Sequence, residues 1–341
     1  MKKLYIIVLV LLFTLAGCKN DTHSIKQSQS SVKNPIKIGM LKLSSSAPIF
    51  IGIEKGFFKE ENIDIQPKWF DAAQPIAVAT VGGDLDIGAT GITASLYNMV
   101  AQGQKLTIVA DKGREAPGYS SNALLISPQS NINKIEDLKG KRIGITQTGS
   151  TYHYMIGRLL ELHHLSLKDI ELVPLNSVNG MVEALKGRQI DATLLTEPQV
   201  SNALNQGYGK LLASVGDEID YQTSGIFLSE KLKEDKDRAI RFLKAYVKST
   251  RYYHDAITKK QGDQYDEVIS IISKYTKQPK ETIQKGVPYI DRDGKLLKDD
   301  IQKQISWYHT ANLIDKKINV DEIVNTSLLD EAIKKLEDSK S

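Results

Sequence analysis

The sequence is poor in the residues that build disulfides and metal sites, because its 341 residues include one cysteine, Cys18. A lone cysteine excludes a disulfide framework, a thiolate metal site and a redox pair within the chain. The six histidines do not compensate: His163 and His164 are adjacent, so they point to different sides of a helix, and the others are scattered. The sequence therefore predicts no metal site and no bound cofactor.

Signatures of common enzymes and of nucleic-acid binding are also missing. There is no nucleophile elbow, no phosphate-loop glycine pattern and no HExxH motif. The formal net charge is +4 and falls to about +2 without Lys2 and Lys3. No basic stripe with interleaved aromatic residues occurs. The composition thus argues against a nucleic-acid partner.

The one long apolar run lies at the N-terminus, where Met1-Lys2-Lys3 precedes apolar residues up to Ala16. At about 13 residues the run is too short for a bilayer, which needs roughly 20, but it suits a secretory signal. Leu15-Ala16-Gly17-Cys18 resembles the lipobox of bacterial lipoproteins, which favours an anchor over a structural core cysteine. We expect a signal peptide at residues 1–17, and a lipid on Cys18 that holds the protein at the extracytoplasmic face of the cell membrane.

The next segment, residues 18–35, is polar, rich in Ser, Gln and Lys, and without apolar periodicity. We interpret it as the lipid-anchored residue and a flexible tether. The folded part is then expected to begin near Ile36, and its roughly 300 residues suffice for two lobes with substantial cores.

This folded part contains a faint internal repeat with an offset of 105 residues. Identity between the copies is low, but the matches fall at equivalent points of the predicted structure. The ungapped offset aligns Lys37-Ile38-Gly39-Met40 with Arg142-Ile143-Gly144-Ile145, Ser45 with Ser150, Gly52 with Gly157, Asp86 with Asp191, and Lys105-Leu106 with Lys210-Leu211.

Each copy alternates short apolar runs with helical patterns. The first predicts strands at residues 36–41, 63–69 and 85–89 and helices at 47–59 and 72–81. The second predicts strands at 142–146, 170–175 and 190–195 and helices at 151–163 and 179–186. Strands that alternate with helices indicate βαβ units and parallel sheets. The predicted fold class is therefore α/β with two lobes.

Two similar segments flank the second copy: YSSNALLIS at residues 119–127 and YQTSGIFLS at 221–229. We interpret them as a two-strand hinge, although two unrelated amphipathic strands would give the same pattern. The predicted boundaries are lobe 1 at 36–120, lobe 2 at 121–222, and a return to lobe 1 with a helical C-terminal portion at 223–338. Helices predicted at 236–258, 265–275, 280–286, 298–313 and 327–336 are expected to pack on lobe 1.

Six loops follow predicted strands, at the sheet edge where open α/β folds bind ligands. Small hydroxyl residues and glycines before a helix can present N–H groups to an anion, but the same residues are preferred helix caps. For any one of these residues, helix capping explains the residue type better than ligand binding does. The convergence of several such loops from both lobes is what favours a binding cleft. The candidate ligand-binding residues are Ser44, Ser45, Ser46, Phe70, Thr90, Gly91, Ser150, Thr151, Tyr152, Asn176, Thr196 and Glu197. Arg114 is a further candidate, either for an anionic ligand or for an ion pair with Glu115 or another carboxylate.

From about Ile36 to Leu336 the sequence resembles the substrate-binding lipoproteins of ABC importers for nitrate, sulfonates and taurine, a family that includes binders of the pyrimidine precursor of thiamine. The stretches that carry the resemblance are KIGMLKLSSSAPIFIGIEKGFFKEENIDIQPKWF, VGGDLDIGATGITA, LKGKRIGITQTGSTYHYMIGRLL, LKGRQIDATLLTEP and VNTSLLDEAIKKL.

The resemblance implies a type II periplasmic-binding-protein fold, binding without catalysis, and a permease and an ATPase as partners. It points to Ser45, Thr90, Ser150, Thr151 and Glu197 as cleft residues. Family members often have an aromatic residue at the position of Thr196, so the chemical class of the ligand stays open. We expect a monomer that captures a small organic anion such as a sulfonate, taurine, nitrate or a carboxylate. The alternatives are a binder of the thiamine pyrimidine precursor and a biosynthetic enzyme on the same fold.

Overall fold

The computed structural model describes residues 34–339. The predicted signal peptide, Cys18 and nearly all of the predicted tether lie outside the described residues. The described residues form one compact unit. Among the described residues, no helix combines the length and the apolar content needed to cross a membrane.

Ten strands in the described part of the chain form two five-stranded sheets. They are β1 (Ile36–Met40), β2 (Ile65–Trp69), β3 (Ile87–Gly91), β4 (Leu106–Glu115), β5 (Asn122–Ile126), β6 (Arg142–Ile145), β7 (Glu171–Pro174), β8 (Ala192–Thr196), β9 (Lys210–Ser214) and β10 (Tyr221–Ser229).

Helices connect and cover these strands, and three short 3₁₀ turns lie at Ser44–Ser46, Ile135–Leu138 and Leu167–Asp169. The α-helices are α1 (Ala47–Glu54), α2 (Phe57–Glu60), α3 (Ala73–Val81), α4 (Ala94–Ala101), α5 (Thr151–Leu162), α6 (Val178–Lys186), α7 (Gln199–Asn205), α8 (Val215–Glu218), α9 (Glu230–Glu234), α10 (Lys236–Lys259), α11 (Asp263–Thr276), α12 (Lys280–Ile283), α13 (Lys298–Thr310), α14 (Val320–Ile323) and α15 (Ser327–Asp338).

The two sheets have the same topology. Their strand orders are β2-β1-β3-β10-β4 and β7-β6-β8-β5-β9. In the first sheet β1 pairs in parallel with β2 and β3, and β10 is antiparallel to β3 and β4. In the second sheet β6 pairs in parallel with β7 and β8, and β5 is antiparallel to β8 and β9. The predicted two-lobed α/β fold with parallel units is confirmed.

The internal repeat also appears in individual contacts. Asp86 accepts a hydrogen bond from Lys37 N at 2.8 Å, and Asp191 accepts one from Arg142 N at 2.9 Å. The two pairs are equivalent in the repeat, because the offset of 105 residues aligns Lys37 with Arg142 and Asp86 with Asp191. These acids tie the turns before β3 and β8 to β1 and β6, a structural role rather than a ligand-binding one.

The antiparallel strand of each sheet is the first strand after the chain crosses from one lobe to the other. The chain leaves the first sheet after β4, enters the second at β5, and returns from β9 to β10. Glu115, the last residue of β4, pairs with Tyr221, the first of β10. The two connections thus leave the first sheet side by side, as a two-strand hinge requires.

The C-terminal helices divide between two positions. α10 buries residues three to four apart, such as Phe242, Tyr246 and Tyr253, and packs with α11 and α15 on the first sheet. α13 contacts both lobes: it packs on α4 and β10 of the first lobe, where Tyr97 OH donates to Gln304 Oε1 at 2.9 Å, and also on α5 of the second lobe, which the expectation did not include. Its Trp307 packs on α5 of the second lobe, where a Cβ at Gly157 would lie 2.2 Å from the indole. Periodicity in the sequence identifies a buried helix face, but not the partner that covers it.

The predicted single helix at residues 47–59 is two helices, α1 and α2. Gly56 between them has φ = 76°, the left-handed conformation that ends many helices and that glycine adopts without steric cost. The break lets Phe58 turn inward and stack on Phe242 of α10.

Candidate functional site

Three small residues lie side by side at the carboxyl edge of the first sheet. Ser224 of β10 pairs with Gly91 of β3 on one side and with Gly113 of β4 on the other. Paired residues on neighbouring strands share a face, and the strands are about 4.8 Å apart. The row therefore forms a floor about 10 Å wide that carries no large side chain.

Residues from both lobes stand over the two ends of this floor. A Cβ at Gly91 would lie 3.4 Å from Thr151 Cγ2 of the second lobe, and a Cβ at Gly113 would lie 3.3 Å from Ser45 Cβ. We call the region between Thr151 and Ser45, over Gly91, Ser224 and Gly113, the interlobe gap. Three residues selected from the sequence, Ser45, Gly91 and Thr151, surround it.

The two lobes are in contact next to the interlobe gap. Ala94 N, at the start of α4 in the first lobe, donates to Gly149 O of the second lobe at 3.2 Å. A Cβ at Gly149 would lie 3.0 Å from Ala94 Cβ, so the backbones approach closely. A solute held in the gap would be enclosed by both lobes.

The ammonium group of Lys112 lies at the Ser45 end of the gap. Lys112 belongs to an irregularity in the pairing of β4 with β10, because Asp111 and Gly113 pair with consecutive residues of β10. Its Nζ donates to Ser45 Oγ at 2.7 Å, and the residue is 1% exposed. Burial lowers the pKa of Lys112 to about 7, although the neighbouring Asp111 acts to raise it.

The first turn of α5 is fixed by protein contacts. Ser150 is its N-cap, and its Oγ accepts from His153 N at 3.2 Å. Gly149 N donates to His153 Nδ1 at 3.0 Å, and burial lowers the pKa of His153 to about 4, so the ring is neutral at pH 7. Tyr308 OH of α13 donates to Ser150 O at 3.2 Å. Capping thus accounts for Ser150, while Thr151 faces the interlobe gap.

Tyr152 and Thr196 bond to each other rather than standing free. Tyr152 OH and Thr196 Oγ1 are 2.8 Å apart, and Thr196 Oγ1 donates to Asn122 Oδ1. Asn122 is the first residue of β5, so these contacts join the hinge to the carboxyl edge of the second sheet.

Several other predicted residues have structural contacts of their own. Ser46 Oγ donates to Leu41 O at 3.1 Å, and Ser44 lies half-buried in the same 3₁₀ turn. Phe70 is half-buried, with its ring 3.3 Å from a Cβ built at Gly39. Asn176 is exposed beyond the edge strand β7, with φ = 61°.

Thr90 points away from the interlobe gap. It precedes Gly91 in β3, and successive side chains of a strand point to opposite faces. It is 1% exposed, and its hydroxyl has no hydrogen-bond partner among residues 34–339.

Glu197 and Arg114 lie beside the C-terminal portion. Glu197 accepts from Ser201 N at 3.0 Å and from Ser201 Oγ at 2.9 Å, and burial raises its pKa. It lines a separate cavity of about 230 Å³, shared with Lys285. The guanidinium of Arg114 lies 4.5 Å from the centre of the Tyr289 ring and 4.0 Å from Asp291. The carboxylate near Arg114 is therefore Asp291 and not Glu115.

Lys112, Gly113 and Ser224 were not among the residues predicted from the sequence. A signal for Lys112 was present, because β4 continues through Asp111 and Lys112 after the apolar run that ends at Ala110. Charged residues inside a buried strand need partners or a function. The role of Gly113 and Ser224 depends on strand pairing, which has no local sequence signal.

These features define a two-lobed α/β protein whose lobes meet at the carboxyl edge of the first sheet, the architecture of the periplasmic binding proteins. The chain belongs to the NMT1/THI5 like family, which matches residues 44–256.

A Bacillus subtilis (strain 168) protein with the provisional name aliphatic sulfonates-binding protein is 25% identical over 344 residues, covering 98% of this chain and 97% of the relative.

Solved structures share the fold. The periplasmic aliphatic sulphonate binding protein SsuA from Escherichia coli superposes with a TM-score of 0.68 at 21% identity, covering 84% of this chain and 91% of SsuA. The nitrate-binding protein NrtA from Synechocystis PCC 6803 gives a TM-score of 0.72 at 16% identity, covering 89% of each chain. The desulfurization enzyme DSZB gives a TM-score of 0.63 at 15% identity, covering 89% of this chain and 99% of DSZB. The fold thus occurs in binding proteins and in an enzyme.

Proposed function

We propose that this protein is an extracytoplasmic solute-binding protein that captures a small organic anion in the interlobe gap and delivers it to an ABC importer. The observation that carries the proposal is the interlobe gap itself, closed by residues of both lobes and flanked by a buried ammonium group. A permease and an ATPase are the implied partners. Lobe 1 at residues 36–120 and 223–338 and lobe 2 at 121–222 would close about the hinge.

An aliphatic sulfonate is the first solute to test. The Bacillus subtilis relative that spans nearly the whole chain has a sulfonate-binding name, and a sulfonate brings a negative charge that Lys112 can receive. An unphosphorylated pyrimidine precursor of thiamine, the alternative ligand, has no anionic group for this lysine. The functional alternative, a biosynthetic enzyme, would need catalytic groups that the sequence motifs do not supply.

A thermal-shift panel tests this proposal with the purified full-length protein. The panel contains alkanesulfonates, taurine, nitrate, aryl sulfonates, carboxylates and an aminopyrimidine. A ligand at about 100 times its dissociation constant adds roughly 2.7 kcal/mol and raises the melting temperature by several degrees. We expect an alkanesulfonate to give the largest rise. A rise with the aminopyrimidine alone would favour the alternative ligand, and no rise with any compound would contradict the capture of anions.

We further propose that the protein is a lipoprotein anchored through Cys18. Replacing Cys18 by alanine removes the only thiol of the chain, so the variant is expected to leave the membrane fraction and to stop incorporating labelled palmitate in a bacterial host. Solute binding should be unchanged, because the folded unit begins at Asn34. Ser28→Ala in the tether is the matched control and should remain on the membrane. A Cys18→Ala protein that still sediments with membranes would contradict the anchor.

A further inference from the structure

Lys112 has an unusual environment for a charged side chain. It is 1% exposed, and its Nζ has a single hydrogen-bond partner among residues 34–339, the neutral hydroxyl of Ser45. No ion pair joins it to a carboxylate of the described residues, although the nearby Asp111 carboxylate acts on it electrostatically. An ammonium group has three donors, and burial of an uncompensated charge costs several kcal/mol.

The neighbouring acids do not supply the missing partner. Asp111, on the same strand, uses its carboxylate to accept from Gly113 N at 2.7 Å, Gln222 Nε2 at 2.7 Å and Asp291 N at 2.7 Å. Asp291 is the acid beside Arg114, further along β4. Both acids are therefore engaged in fixing the sheet to the segment before α13.

The side of Lys112 that faces the interlobe gap is lined by neutral groups. Ser45 lies on it from the 3₁₀ turn, and Ser224 and Pro288 surround the adjacent Gly113. Thr151 stands at the far end of the same floor. An anion that enters between Ser45 and Thr151 would give the buried ammonium the negative partner that the described chain lacks.

We infer that Lys112 is the residue that selects the charge of the solute: it binds the anionic head group of a monoanion such as an alkanesulfonate, and in neutral or alkaline solution it takes up a proton as the solute binds. The inference rests on the proposed function and deepens it. It adds a residue that discriminates an anion from a neutral molecule of the same shape.

Proton uptake follows from the electrostatics of the site. Without solute, burial holds the pKa of Lys112 at about 7, and a bound anion raises it because the negative charge stabilises the ammonium form. Above pH 7 the empty protein must therefore bind a proton to bind the anion, and affinity should fall by about tenfold for each further pH unit.

Of the groups around Lys112, Asp111 has a pKa near the lower end of that range, so the change between pH 7.5 and 8.5 is the one that reports on Lys112. The pKa of Asp111 is raised to about 6, again by burial. Tyr246 and Tyr253 of α10 pack near this end of β4, and burial raises their pKa well above the ordinary value. A sulfonate such as 1-butanesulfonate stays ionised from pH 6.5 to 8.5.

The test is calorimetric titration of the full-length protein and its Lys112→Met variant with 1-butanesulfonate, at pH 6.5, 7.5 and 8.5, in two buffers of different ionisation enthalpy. We expect the wild-type protein to bind with net proton uptake that grows towards one proton at pH 8.5. Lys112→Met should bind at least 100-fold more weakly with no proton uptake. Butanesulfonamide, a neutral analogue of similar shape, should bind both proteins weakly and equally.

The variant also has a folding readout that does not involve the solute. Methionine has the length of lysine without the charge, so empty Lys112→Met should melt at the same temperature as the wild type or higher. The folded pKa of lysine is below its unfolded value of 10.5, so the unfolded state holds more protons between pH 7 and 10.5. The stability of the wild type should therefore rise with pH across this window, and the advantage of the variant should shrink.

The outcomes separate the inference from the proposed function. Equal binding of butanesulfonate by the wild type and by folded Lys112→Met would overturn the role of Lys112 but leave the proposed function standing. A wild-type affinity that does not change between pH 6.5 and 8.5 would have the same consequence. A variant that melts well below the wild type would assign Lys112 a structural role instead. Failure of the wild type to bind butanesulfonate or any other anion of the panel would overturn both.

Discussion

Gly91→Leu is expected to reduce the affinity for the bound anion at least 100-fold while the protein stays folded. A Cβ at this position already lies 3.4 Å from Thr151 Cγ2 and 3.7 Å from Thr223 O, an ordinary van der Waals distance. The three further carbons of leucine would extend between the lobes. They would cover the floor and prevent Thr151 from approaching it. Because both lobes must enclose the solute, blocking their approach removes the closed state.

The matched control is Gly91→Ala, which adds the single carbon that the site accommodates. Gly91 does not have a positive φ, so alanine introduces no backbone strain there. We expect Gly91→Ala to bind within threefold of the wild type, and both variants to melt within a few degrees of it. Calorimetric titration with butanesulfonate measures the difference. If Gly91→Leu binds as well as Gly91→Ala, the solute does not lie on the floor formed by Gly91, Ser224 and Gly113.

Glu115→Ala is expected to lower the free energy of unfolding by about 3 kcal/mol, because several buried donors lose one acceptor at once. The carboxylate is fully buried at the end of β4 and accepts from Ser120 Oγ at 2.8 Å, Ser121 Oγ at 2.7 Å and Asn122 Nδ2 at 2.7 Å, as well as from Ser121 N at 3.1 Å. Ser120 Oγ in turn accepts from Gly216 N at 2.9 Å. Glu115 therefore ties together the outgoing and the returning connections of the hinge.

Urea unfolding at pH 7.5 measures this loss, and Glu115→Gln is its control. Glutamine keeps one acceptor oxygen but turns an NH₂ group towards the remaining donors, so we expect roughly half the destabilisation of alanine. A loss below about 1 kcal/mol for Glu115→Ala would show that the two connections are held by other contacts.

The fold is predictable from the sequence because the relevant signals are local. Apolar runs separated by helical patterns predicted β1, β3, β6 and β8 to within a few residues, and the repeat offset predicted two similar sheets. Strand periodicity and helix caps depend on residues a few positions apart, which a sequence displays directly. Gly56 was the informative exception, since a left-handed glycine inside an otherwise helical pattern split one predicted helix into α1 and α2.

The candidate site was predictable only as a set of loops. Ser45, Gly91 and Thr151 follow strands or precede helices, so the rule that ligands bind at the carboxyl edge of α/β sheets selects them. The same rule selected Thr90 and Asn176, whose side chains the fold directs elsewhere. A difference of one residue along a strand reverses the face to which a side chain points, and loop position alone does not resolve it.

The sequence by itself determined the class of fold, the duplication, and the loops among which a site had to be sought. Tertiary structure alone decided which residues meet: Gly91, Ser224 and Gly113 come together through strand pairing, and Lys112 reaches Ser45 across 67 positions of the chain. It also decided that α13 packs against both lobes. The physical reason is that burial and charge pairing depend on contacts between distant segments, whereas periodicity and capping are properties of neighbours.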